Sequence, residues 1–411
     1  MTLSRIGRIS KAFVVSVAVG LGMTACGGGT IGFMWVLGTQ YNQIVGFKID
    51  DFSGNLTQTV NSPYTSGGAN PVSITVRAGG RYVYVVNKGT VNSSGVSNGD
   101  GNIAVFAVGG DGILTFEENY FSAGNTPIWA AADGTGSFLY VLDQVAPDGS
   151  GNGDITVFAI DGNTGRLQIV PNQSIKTPSG TQLTYFPVGK KPSTFRYGAG
   201  SCIYALDSDE TIYSYGVGGN GQLTTEPNST IPVGVPGVNN ITSINVSGSG
   251  IYITDAAPTP ASPGGTITPY TSGASCSLSV QVDGPVANLP LTSNPVYSLT
   301  DSKNKYLYVV NQATTNSNNA NSSISAFTID PSTGRLQALS DVQNPYATGN
   351  GPVCMVEDPS NQYVYTSNSA SGNVTGKIIN QATGQLSNLT RGSVFPATGL
   401  ATCLAVSGNV D

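Results

Sequence analysis

The stretch Ser322–Leu336, SSISAFTIDPSTGRL, decides how the rest of the chain is read. Its first eight residues mix small polar with apolar and β-branched side chains, as a half-buried strand does. Asp330-Pro-Ser-Thr-Gly-Arg then carries turn chemistry, with Gly334 two places before Leu336, where another strand begins. Upstream, Lys305-Tyr-Leu-Tyr-Val-Val-Asn311 reads as a strand ended by an amide that can bond the turn backbone. The same order returns at 153–167 (GDITVFAIDGNTGRL) and again between Pro71 and Phe116. The unit is therefore four short strands separated by turns.

Counting outward, the second-strand aromatic falls at Trp35, Tyr84, Tyr140, Tyr204, Tyr252, Tyr308 and Tyr365. Third strands start near Ile44, Ile103, Ile155, Ile212, Ile267, Ile324 and Val374. Fourth strands carry Leu56, Leu114, Leu167, Leu223, Leu278, Leu336 and Leu386. A Gly stands two places before six of these leucines, in a turn that calls for positive φ; before Leu278 the residue is Cys276. First strands follow Pro71, Pro127, Pro192, Asn240, Pro295, Pro352 and Gly399. Trp35 and Tyr365 lie 330 positions apart over six steps, a mean period of 55. Four antiparallel strands repeated seven times predict an all-β, seven-bladed propeller over residues 33–411. The last first-strand, Leu400–Val406, has no second strand after it, so Phe33–Leu37 is expected to pair with it and close the ring.

Composition agrees. Of 411 residues only 10% are charged while 39% are hydrophobic, and Gly (54) and Pro (23) supply turns. Good helix formers are scarce. The net charge is −6, and −9 without the leader basics Arg5, Arg8 and Lys11, so the basic footprint of a nucleic-acid binder is missing. No His is present, which excludes Ser-His-Asp and Cys-His nucleophile schemes.

Met1–Lys11 is basic and Ala12–Met23 is an apolar run of 12, the order of a secretory signal and too short for a mature membrane span. Met23-Thr24-Ala25-Cys26 resembles the lipobox of bacterial lipoproteins. That resemblance implies a signal peptide at 1–25, a lipidated Cys26, a Gly-rich tether over 26–32, and attachment to the bacterial envelope, at the outer membrane or cell surface, through the lipid alone.

The repeat Tyr-Val-x-Asn…Ile-x-x-Phe-x-Ile-Asp…Thr-Gly-x-Leu, best kept at 305–311, 322–336 and 153–167, resembles the lactonase-type seven-bladed propellers. These are the 6-phosphogluconolactonase-like proteins with the neighbouring YVTN-type surface propellers. The resemblance implies lactone chemistry at the mouth of the central channel, carried by a His, a Glu and Arg side chains; the His has no counterpart here.

The candidate functional residues lie on or beside the first strands. Arg196 or Lys191 would hold an oxyanion and Glu357 would activate water; Arg77, Trp129 and Tyr297 stand at inner positions suited to ligand contact. The recurrent Asn or Asp after each second-strand aromatic (Asn87, Asp143, Asp207, Asp255, Asn311, Asn368) reads as a turn-bonding strand end. Asp148, Ser150 and Asn152 match the first half of a Ca²⁺ loop, but position 12 of that loop is Ala159, so no metal and no cofactor are expected. Of the four cysteines beyond Cys26, Cys354 and Cys403 occupy equivalent first-strand positions, which ranks that bridge, or two buried thiols, ahead of Cys202–Cys276. The sequence thus favours a monomeric, exported propeller binding a small molecule or surface partner on its loop-rich face, ahead of a His-free lactone hydrolase.

Overall fold

A computed structural model describes residues 29–408, apart from 178, 199–200, 234–239, 249, 282–283, 290–292 and 314–321. The signal segment and Cys26 lie outside the described residues. Seven antiparallel sheets follow one another around a ring. Blade 1 runs from inner strand to outer as Pro71–Val76, Tyr82–Asn87, Asn102–Val108 and Leu114–Tyr120. Blades 2 to 6 repeat the order, their inner strands being Asn125–Ala132, Thr194–Gly198, Ile241–Ser247, Ser293–Thr300 and Pro352–Glu357. Blade 7 closes the circle as the sequence predicts: the inner strand Ala401–Gly408 pairs with Thr30–Gly38, with Trp35 opposite Ala405. Among the described residues the only helical pieces are two 3₁₀ turns, Thr39–Tyr41 and Ala274–Cys276. No helix among them is long and apolar enough to cross a membrane.

The recurrent aromatics join blade to blade. Trp35, Tyr84, Tyr140, Tyr204, Tyr252, Tyr308 and Tyr365 are all buried. Most reach across to the next blade's outer turn, where the glycine carbonyl accepts. Trp35 Nε1 donates to Gly112 O (3.1 Å), Tyr84 Oη to Gly165 O (3.2 Å), Tyr308 Oη to Gly384 O (3.0 Å) and Tyr365 Oη to Gly54 O (2.6 Å). A large apolar ring is thereby buried with its polar tip satisfied. Those glycines have φ between 67° and 80°. At Gly112 an added Cβ would lie 2.2 Å from the Phe33 ring, so the turn needs glycine for space as well as conformation.

Blade 4 departs from this pattern. Cys276 sits at the glycine position with φ 54° and is bonded to Cys202 at the start of blade 3's second strand. Tyr204 turns instead to Ser272 Oγ (2.5 Å). The disulfide is therefore Cys202–Cys276, which corrects the sequence-based ranking. Cys354 and Cys403 are buried thiols with their sulfurs 3.4 Å apart. Equivalent positions on adjacent inner strands bring the thiols into contact, but short of the ~2.05 Å of a bond.

Candidate functional site at the centre of the ring

Strand register defines a layer of seven side chains. Ser73, Trp129, Thr194, Ser243, Tyr297 and Cys354 each lie opposite the second-strand residue two places after the aromatic, namely Val86, Leu142, Leu206, Thr254, Val310 and Ser367. Cys403 precedes Leu404, which pairs with Val36, and so completes the layer in blade 7. Five blades place a small hydroxyl or thiol-sized group beside the bulkier Trp129 and Tyr297.

Arg196 springs from two places further along its strand, opposite Tyr204. Its guanidinium folds back: Nη1 donates to Thr194 Oγ1 (2.8 Å) and to Phe195 O (2.9 Å). That lays the charged plane 4.5 Å from the Trp129 ring centroid and 5.5 Å from that of Tyr297. Blades 2, 3 and 5 thus meet across the centre through one cation and two aromatic faces. Trp129 Nε1 is buried beside it with no hydrogen-bond partner among the described residues.

The thiols complete the cluster. Contact with the Cys403 sulfur lowers the Cys354 pKa against the raising effect of burial, with Arg196 and Tyr297 adding to the lowering, while the same contact and burial push Cys403 up. Burial pushes the Tyr297 hydroxyl well above its ordinary range. The arrangement offers a half-buried cation, an unpaired indole N–H and a polarised thiol: a setting for an anionic or oxygen-rich group.

The other candidates lie elsewhere. Glu357 is the last residue of its inner strand and belongs to the inner-turn end of blade 6. Its carboxylate accepts from Ser302 N (2.7 Å), Ser302 Oγ (3.1 Å) and Asn361 Nδ2. Burial raises its pKa, against the lowering effect of those bonds. Arg77 stands at the corresponding turn of blade 1, where Nε donates to Gly136 O (2.8 Å) and Nη1 to Ala78 O (3.3 Å). Lys191 is exposed, with φ 42°, in the turn leading into blade 3. So Arg196, Trp129 and Tyr297 come together, whereas Glu357, Arg77 and Lys191 do not join them, and the Arg–Glu pair sought in the sequence is not assembled.

The 148–152 loop spends its oxygens on its own backbone: Asp148 Oδ1 accepts from Ser150 N (2.9 Å) and Ser150 Oγ from Asn152 N (3.2 Å). It is a sequence of Asx and Ser turns rather than a ligand set. Among the described residues no three His, Cys, Asp or Glu side chains gather as metal ligands. Sequence reasoning missed the role of Thr194, which anchors Arg196. The signal was present, because Thr194 is the layer position in blade 3, but the backward fold of an Arg side chain has no sequence mark.

Solved structures with the same architecture include a protein from Lactobacillus plantarum (16% identity, 92% of this chain and 100% of that one, TM-score 0.68). The periplasmic gluconolactonase of Pseudomonas aeruginosa matches at 14% identity over 92% and 99% of the two chains, TM-score 0.67. A Bacteroides fragilis protein whose 6-phosphogluconolactonase assignment is provisional matches at 18% over 92% and 98%, TM-score 0.65. At these identities the likeness is one of fold. No curated protein matches the chain. The family model described as "Lactonase, 7-bladed beta-propeller" matches residues 30–185 and 287–403, and the chain belongs to that family.

Proposed function

We propose that the protein is an exported binding propeller, held to the envelope through Cys26, that captures a small sugar acid or its lactone at the centre of the ring. The observation that carries this reading is Arg196 laid on Trp129 and Tyr297 with its Nη1 already anchored. A guanidinium fixed in this way is preorganised for a carboxylate or lactone carbonyl, so little side-chain entropy remains to be lost on binding. The unpaired Trp129 Nε1 supplies a second donor beside it.

Lactone hydrolysis is the second reading. It is supported by the family and by the gluconolactonase among the proteins of like fold, and it lacks the acid–base partner that Glu357 would have provided beside Arg196. One experiment separates the two. The protein without residues 1–26 is titrated calorimetrically with gluconate, 6-phosphogluconate and glucono-lactone, alongside Arg196→Ala, and lactone opening is followed with the spontaneous rate subtracted. Binding lost in the variant, with no turnover, supports capture. Turnover that falls on the order of 100-fold in the variant, as for loss of an oxyanion donor, replaces it with hydrolysis. Heat changes equal in both proteins overturn the site itself. Retention of the protein in the membrane fraction, lost in Cys26→Ala, tests the anchor.

A further inference from the structure

The residues that end the second strands bond neighbouring turns and third-strand side chains, and blade 2 breaks the rule. In blade 1, Asn87 Nδ2 donates to Asn102 Oδ1 (2.9 Å) and to Ser66 O (3.0 Å). In blade 6, Asn368 Nδ2 donates to Asn373 Oδ1 (2.9 Å). Each pair needs an N–H at its centre. In blade 2 both members are acids: Asp143 lies directly opposite Asp154 in the ladder. Both side chains are fully buried. Ser122 Oγ donates to Asp143 Oδ1 (2.7 Å) and Thr156 Oγ1 to Asp154 Oδ1 (3.3 Å), while both Oδ2 atoms are buried without a partner.

Among the described residues no cation is brought to the pair. The inner strand places Pro127 against Asp143. The loop before it contributes Ser122 and Gly124, whose added Cβ would lie 2.2 Å from Asp154 Oδ2 and 2.6 Å from Asp143 Cβ, so backbone packs straight onto the carboxyls. Phe186–Lys190 runs beside the third strand, but the Lys190 ammonium is directed outward to Asp209 (3.9 Å). The remaining titratable neighbours are Asp148, whose charge adds repulsion, and Tyr185.

We infer that Asp143 and Asp154 share one proton in the native protein at neutral pH, the acid O–H taking the place of the amide N–H in blades 1 and 6, so that blade 2 carries a pH-sensitive clasp. The tight cover by Gly124 favours a proton over a metal ion. Burial raises both pKa values, and repulsion from Asp143 adds to the rise at Asp154. Raising the pH releases one proton to solvent and leaves two facing carboxylates. The clasp adjoins the strand that carries Arg196, because a Cβ on Gly153 would meet Pro192 Cδ at 2.3 Å and Asp143 O at 2.4 Å.

The sign follows from the raised folded-state values. In the unfolded chain both groups ionise near pH 4, so above about pH 5 the native state holds one more proton than the unfolded one. The clasp's contribution to stability is present at low pH and declines as pH rises, by about tenfold in the folding equilibrium constant per pH unit until the proton leaves.

The test is urea unfolding of the protein, Asp143→Asn and Asp154→Asn between pH 5 and 9, with infrared spectra at pH 7. The proposal expects the ratio of wild-type to variant folding constants to fall about tenfold per pH unit over the window. It also expects a protonated-carboxyl band in the wild type that is missing from both variants. Parallel curves overturn it, as does the absence of that band from the wild type, a readout that stands even where a variant fails to fold. Stabilisation by calcium chloride that EDTA reverses and Asp143→Asn abolishes overturns it in favour of a cation site.

Discussion

The two ends of the propeller are built differently. At the inner-turn end the chain repeats one device. Asp133, Asp301 and Asp358 stand at the same turn in blades 2, 5 and 6, and one carboxylate oxygen of each accepts two backbone N–H groups: from Ser137 and Phe138 (2.7 and 2.8 Å), from Lys305 and Tyr306 (2.6 and 2.7 Å), and from Gln362 and Tyr363 (2.8 and 2.6 Å). The same end holds the Cys202–Cys276 bridge and occupies Arg77 and Glu357 in backbone bonds. Toward the loop end the repeat is broken: Arg196 stacks on two aromatics, two thiols touch without bonding, and an acid pair replaces amides. Charge at a recurring position belongs to the architecture; charge at a position its sister blades leave neutral is where to look for function.

The largest effect should come from the cross-link. The bridge closes a sequence separation of 74 residues, and loop-closure entropy puts its contribution at about 4 kcal/mol. Cys202→Ala with Cys276→Gly should lose that amount in urea unfolding and leave ligand binding at Arg196 intact. Altered binding would show that the two ends are not independent. Asp358→Ala comes next, at about 3 kcal/mol, because it strands buried N–H groups in a tight turn. Hydrogen exchange at Gln362 and Tyr363 should quicken while the channel cluster keeps its protection.

Arg196→Lys probes the other end. The charge survives but the planar stack on Trp129 and Tyr297 does not, so stability should change by only about 1 kcal/mol. Trp129 emission should shift, and capture of a carboxylate should weaken far more than stability does. Equal losses in both would make the stack a structural plug.

The fold was legible because its signals are local and repeated: alternating strands, turn glycines and an aromatic at a fixed place in every unit. Closure by the N-terminal strand was legible too, since Leu400–Val406 lacked a partner. The channel cluster was half legible. Register alone put Trp129 and Tyr297 at equivalent positions, but whether Arg196 folds back or Glu357 bonds Ser302 depends on side-chain torsions and neighbours far away in sequence. Equivalence between Cys354 and Cys403 leaves a bond or two buried thiols open, of which the structure has the thiols, and it says nothing in favour of Cys202–Cys276. Cys276 in a glycine's place was the better clue, as an L-residue held at φ 54° signals a position fixed by something else.

Glu357 gives the smallest effect and the sharpest check on the division between the ends. Burial raises its pKa, so ionisation is harder in the folded chain than in the unfolded one. The raised value makes its contribution largest below the ordinary carboxylate pKa and smaller as pH climbs through the folded one. Glu357→Gln keeps an acceptor for Ser302 N and removes the charge. It should therefore shift stability by about 0.5 kcal/mol or less, with the variant gaining on the wild type from pH 5 to pH 7. Turnover of any lactone, or capture of any sugar acid, should be unchanged. A Glu357→Gln protein that unfolds as the wild type does but loses lactone turnover would bring this carboxylate back into the chemistry, and would require the inner strands of blades 3 and 6 to act on one substrate from opposite ends of the channel.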